Sequence, residues 1–148
     1  MRTLHAADEV RYTWTSEPIK GGAVLVERDR IAAVGTLEEL RERFPDARVR
    51  VWPGVLGPAR NFVSPLPDAP SPREVIHAVL KSGATTILAE YADTPELRAA
   101  AERNDVLMVP RAQATPLKEA GRADLAVLDE NGECVATVCA GRLVHRRR

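Results

Sequence analysis

Apolar and polar positions alternate in short runs along most of this chain, and the runs predict a β-rich protein. Val10, Tyr12 and Trp14 alternate with polar neighbours and predict a first strand with one buried face. Residues 23–27 and 30–34 predict a hairpin around Arg28-Asp29. Residues 48–52 predict a fourth strand, which Pro53-Gly54 is expected to end. Towards the other end, residues 123–128, 134–139 and 142–145 predict a three-stranded meander. Its turns fall at Asp129-Glu130-Asn131-Gly132, where Asn-Gly accepts positive φ at little cost, and at Ala140-Gly141.

The period changes at three helix starts. In Thr36-Leu37-Glu38-Glu39 the threonine oxygen can accept a free N–H three residues on while Glu39 reaches back, so a helix is expected over 37–43. Ser71-Pro72-Arg73-Glu74 combines an N-cap, a proline at the first helical position and a box-closing glutamate. Val75, Ile76, Val79 and Leu80 then form an apolar stripe, and Gly83 stops it. Thr94-Pro95-Glu96 opens a third helix to about residue 103. Strands at 85–89 and 106–109 follow the second and third helices, an alternation that predicts parallel pairing. Residues 56–72 read as a loop, because six prolines fall between Pro53 and Pro72 and proline cannot donate to a ladder.

Composition changes this picture little. The chain has 148 residues, enough for one domain with a real core, and 45% hydrophobic with 28% charged residues is ordinary for a globular protein. The 21 basic and 21 acidic residues cancel, which gives no pull towards nucleic acid or anionic membrane. No run of apolar residues is long enough to span a bilayer, and the first residues lack a signal-peptide core, so a cytoplasmic location is expected. Arg146-Arg147-Arg148 reads as a frayed, solvated tip. Cys134 and Cys139 are spaced oddly, so an unbroken strand would point them to opposite faces. Both read as small packing residues.

Two segments together carry a family pattern. Gly22-Ala23-Val24-Leu25-Val26-Glu27, then Arg30-Ile31-Ala32-Ala33-Val34-Gly35, and on through Phe44-Pro45-Asp46-Ala47 to Trp52-Pro53-Gly54-Val55-Leu56, resembles the opening of amidohydrolase-superfamily enzymes, in the imidazolonepropionase-like branch. Gly121-Arg122-Ala123-Asp124-Leu125-Ala126-Val127-Leu128-Asp129, Val135-Ala136-Thr137-Val138 and Ala140-Gly141-Arg142-Leu143-Val144 resemble the closing strands of that family. Ser82-Gly83-Ala84-Thr85-Thr86-Ile87 is similar to the entry of an early barrel strand. The resemblance implies a composite β-sandwich built from both chain ends, with a metal-binding barrel between them. The expected fold class is therefore α/β (α+β). Residues 1–56 and 119–148 would form the composite sandwich-like domain, and residues 57–118 a short αβαβ insert left from the barrel.

The same resemblance implies a hydrolytic metal held by imidazoles and carboxylates, which makes hydroxide from water at neutral pH. Its first ligands would stand in a His-x-His here replaced by Pro58-Ala59-Arg60-Asn61-Phe62-Val63-Ser64-Pro65. The proline and asparagine remain and both histidines are missing. His5, His77 and His145 are too far apart in sequence to form HxH or HxxxH. His5 is expected at a flexible end, His77 and His145 on ordinary packing or surface positions. From Phe62 to Ala120 there are about 60 residues, against about 250 for a (β/α)₈ barrel. A Cys139–His145 pair across one hairpin would be the remaining nucleophile and base, and Asp124 reads as a turn or backbone acceptor.

No catalytic residue, metal ligand or cofactor is therefore expected. The expected function is non-catalytic, by binding or self-association, as a homo-oligomer or with a protein partner, and without nucleic acid or membrane. Exposed edge strands would serve as the pairing surfaces. A C–N hydrolase with a rearranged or subunit-completed site, and a scaffold that docks on a full-length amidohydrolase, are the alternatives. Arg60, Asn61 and Glu90, bordering the place of the missing metal, are the candidate ligand-binding residues.

Overall fold

A computed structural model describes residues 1–147. The chain opens with β1 (Arg2–Val10), a two-residue β2 (Ile19–Lys20), the hairpin β3 (Gly22–Glu27) and β4 (Arg30–Thr36), helix α1 (Leu37–Arg43) and the long β5 (Arg48–Pro58). The middle comprises β6 (Arg60–Phe62), α2 (Pro72–Lys81), β7 (Ala84–Leu88), a 3₁₀ turn (Ala89–Tyr91), α3 (Pro95–Arg103) and β8 (Leu107–Val109). The meander β9 (Leu125–Leu128), β10 (Cys134–Cys139) and β11 (Arg142–Arg146) closes the chain.

Eight strands form one sheet in the order β11-β10-β9-β5-β1-β3-β4, with β2 beside β1. β5 is the join. Residues from Arg48 to Leu56 run parallel to β1, and residues from Val55 to Pro58 pair antiparallel with β9. The sheet folds over so that both halves enclose one core. Val24, Val26 and Ile31 on one side share a cluster with Leu125, Val127 and Val138 on the other. Backbone hydrogen bonds from Ile31 N–H to Gly121 O and from Ala120 N–H to Ile31 O stitch the fold-over. The expected sandwich is thus one continuous bent sheet. The outer face of β1, β3 and β4 is covered by α1, with Leu40 against Leu4, Ala23, Leu25 and Ala33.

That second cover corrects the reading of the N-terminus. The first strand is Arg2–Val10, whereas Trp14 lies in a turn and donates from Nε1 to Pro58 O at 2.8 Å. β1 is buried on both faces, so it does not alternate, and the periodicity signal passes over it. His5 is consequently 3% exposed rather than flexible. Its Nδ1 accepts from Trp52 Nε1 at 3.2 Å, and burial, with Arg50 nearby, pulls its pKa down to about 4.

Two more expectations fail for local reasons. β5 continues through Pro53-Gly54 because Gly54 takes φ +101° and donates its N–H to Asp8 Oδ2, absorbing a register shift against β1. A bulge in β10 between Cys134 and Ala136 resets the alternation. Both cysteines therefore face the helical insert: Cys134 beside Gly83 and Thr137, Cys139 within the cluster beneath α2 and α3. The C-terminal tip is held as well. Arg146 ends β11, and Arg147 donates to Asp129 Oδ2 at 2.7 Å; Arg148 lies outside the described residues.

All three helices start where the caps predict, with Thr36, Ser71 and Thr94 each accepting the N–H three residues on. The predicted loop at 56–72 contains β6, which pairs in parallel with β7, and β7 pairs in parallel with β8. Phe62, Ile87 and Met108 share one register level and pack towards α2 and α3. α2 also packs on β10 and β11, where Thr137 Oγ1 donates to Leu80 O at 2.7 Å. Three strands do not close a barrel, and the insert rests on the meander.

Candidate functional site

The opposite face of the three-stranded sheet positions the candidate site. Asn61, Thr86 and Leu107 share a level there, and Leu88 and Val109 the next. α2 and α3 lie on the other side, so this face is open except where residues 110–117 cross it. Asn61 Nδ2 holds that crossing segment by donating to Gln113 O at 2.9 Å, and Leu117 anchors its end in the core, donating its N–H to Tyr12 O. Grooves run along both sides of the segment. An amphipathic cleft of about 390 Å³ lies between Trp14, Pro58, Val63 and Ala114. A cavity of about 150 Å³ lies at the seam with the large sheet, among Asn61, Thr85, Thr86, Lys118 and Asp124. Asn61 borders both.

Of the other two candidates, Arg60 borders the larger cleft beside Asn61 and Glu90 lies elsewhere. Arg60 is half-buried and structural: Nη2 donates to Ser82 O at 2.8 Å, and its own N–H donates to Gly83 O, tying β6 to the end of α2. Glu90 is exposed in the 3₁₀ turn beyond the far end of β7, whereas Arg60 pairs with Ala84 at its start. Arg60 and Asn61 therefore share a cleft, and Glu90 does not join them. Sequence reading missed Thr85, Thr86 and Lys118. Asp124 does what its turn position suggested, accepting at Oδ1 from Arg122 Nε at 3.0 Å and from Ala140 N–H at 2.9 Å. Burial raises its pKa against those stabilising contacts.

A catalytic metal does not fit these residues. The stretch from Pro58 to Pro65, where the resemblance puts a His-x-His, contains no histidine. Among the described residues no group of three or more His, Cys, Asp or Glu could hold an ion. His5 is committed to Trp52, His77 is exposed on α2, and His145 pairs across the hairpin with Thr137, not with Cys139. Burial lowers the pKa of His145. The Cys139 thiol meets Arg122 Nη2 at 3.2 Å and the carbonyls of Asn104 and Asp105, and burial pushes it up to about 11. Cys134 is also raised by burial. Native protein at pH 8 is therefore expected to react with iodoacetamide far more slowly than a free thiol and to label at both cysteines only on unfolding. Rapid native labelling of Cys139, read by peptide mass spectrometry, would contradict this environment.

Residues 22–47 match the model of the imidazolonepropionase-like composite domain of bacteria. The fold is shared with part of several solved deaminases. Guanine deaminase from Bradyrhizobium japonicum superposes with a TM-score of 0.56 at 14% identity, over 73% of this chain and 34% of that one. An adenosine deaminase from Xanthomonas campestris with bound zinc gives 0.56 at 18% identity, over 72% and 32%. Helicobacter pylori aminofutalosine deaminase gives 0.55 at 16%, over 73% and 32%. The chain thus spans about a third of the length of these proteins, and at such identities the likeness is one of fold. No curated protein matches the sequence. The segment matched by the family model is the β3–β4 hairpin with α1. No helix among the described residues is long and apolar enough to cross a membrane.

Proposed function

We propose that this chain is a non-catalytic, cytoplasmic relative of the amidohydrolases that works by association, and that the open face of β6-β7-β8 is where a second copy docks. The observation that carries the reading is the chemistry of that face. It presents an amide, a hydroxyl and branched alkyl side chains where a hydrolytic metal would need imidazoles, and it leaves Val63 56% and Leu107 43% exposed. Parallel sheets are ordinarily covered on both faces, and here α2 and α3 cover one. β6 and β8 each keep an unpaired outer edge within their sheet, a further surface for strand-to-strand contact.

Analytical ultracentrifugation across a concentration series tests this reading. A dimer is expected, and Leu107→Asp is expected to weaken it at least about tenfold by burying an unpaired charge, without changing the fold of the protomer. A wild-type monomer at the highest concentration would overturn the docking face. Stoichiometric zinc or iron in the purified protein, or metal-dependent turnover of cyclic amides or aminopurines, would overturn the non-catalytic reading.

A further inference from the structure

We propose that the seam cavity between the parallel sheet and the large sheet binds a small aliphatic monocarboxylate. The site begins with a backbone irregularity. Opposite the step from Arg60 to Asn61, β7 carries one extra residue, Thr85, so the usual alternation lapses there. Consecutive threonines, Thr85 and Thr86, therefore both line the cavity. Thr85 is 2% exposed, yet no fully enclosed side-chain polar atom goes without a partner among the described residues. Its hydroxyl, which bonds to no other described side chain, opens into the cavity.

Charge selects the ligand class. Three charged side chains border the space. Arg122 and Asp124 neutralise each other at 3.0 Å. Lys118 has no carboxylate within 4 Å among the described residues, and so leaves the lining with one uncompensated positive charge. Asp124 opposes an anion only weakly, since Arg122 and the Ala140 N–H already share its Oδ1. Ile31, Leu107 and Leu117 form the apolar side. The volume, about 150 Å³, is that of a cavity known to accept benzene, so a chain of three or four carbons with one carboxylate fills it. The threonine hydroxyls donate to the carboxylate, Lys118 supplies the counter-charge, and the alkyl chain lies on the leucines.

The amide ¹H–¹⁵N spectrum of the whole chain, titrated with butyrate and separately with butyramide, is the test. Butyrate is expected to shift Thr85, Thr86 and Lys118 saturably, with Kd on the order of 1 mM, within reach of so small a ligand. Butyramide, alike in shape but uncharged, is expected to bind about tenfold more weakly or worse. Lys118→Gln, a change at an exposed position, is expected to weaken butyrate three- to fivefold, roughly an exposed ammonium's share, and to leave butyramide unaltered. Thr85→Val is expected to weaken both ligands. Equal binding of the two ligands, unaltered butyrate binding in Lys118→Gln, or no saturable shift with either ligand would overturn the proposal. Thr86 and Leu107 also belong to the docking face, so the titrations are run at a concentration where ultracentrifugation shows monomer, and the docking face and the cavity are then tested separately.

Discussion

Lowering the pH from 7 to 4 is expected to cost this protein about 3 kcal/mol of folding stability through His5 alone. The folded-state pKa of His5 is about 4 against 6.5 for the free side chain, and each unit of difference corresponds to about 1.4 kcal/mol. The sign follows from proton counting. Between those two values the unfolded chain binds a proton at this residue and the folded one does not, so acid favours unfolding. The contribution is complete above pH 6.5, declines as pH falls towards 4, and changes no further below that. The physical origin is that His5 sits in the middle of the sheet with Nδ1 already accepting from Trp52, and a charge there has neither water nor a carboxylate partner. Urea titrations at several pH values should show this slope in the wild type and lose it in His5→Gln, which keeps an acceptor and does not titrate. An identical slope in the variant would place the acid sensitivity elsewhere.

Gly141→Ala is expected to be the most damaging single methyl in the chain, at about 3–4 kcal/mol. Ala140 and Gly141 both take positive φ, 49° and 81°, and join β10 to β11 in a two-residue turn. A Cβ at Gly141 would stand 1.8 Å from the carbonyl oxygen of Arg28, and backbone cannot step aside as a flexible side chain does. The left-handed penalty of about 1–2 kcal/mol adds to an overpacking cost of about 1–3 kcal/mol. Gly132→Ala separates the two effects. Gly132 has φ +78° but open space around it, so only the backbone penalty of about 1 kcal/mol is expected. Denaturant midpoints measure both. Equal losses at the two positions would mean that the contact with Arg28 is relieved at no cost.

Local chemistry was legible in the sequence and long-range pairing was not. The three helix caps, the β3–β4 hairpin and the β10 strand depend on neighbours within a few residues, and the local order of residues reveals them. β1 was misplaced because it is covered by two layers, which removes alternation. β6 was hidden among prolines because its three residues are held by a strand more than twenty positions later. The cysteines misled because one bulged residue shifts every side chain after it. At the site, Asn61 was visible through the family pattern, whereas Thr85, Thr86 and Lys118 come together only through the β7 bulge and the return of residues 110–121 over the open face. Arg60 ties β6 to the end of α2 and borders the cleft beside Asn61, and Glu90 belongs to the opposite end of the strand.

The position of β5 also shapes how the chain emerges from a ribosome. It finds β1 early, but its other edge, from Val55 to Pro58, waits for β9, made some seventy residues later. Until then a nascent chain carries an uncapped strand and half a hydrophobic interior. A premature stop before residue 125 would release that half-built sheet into the cell with a sticky edge, a product better suited to aggregation and proteolysis than to partial function.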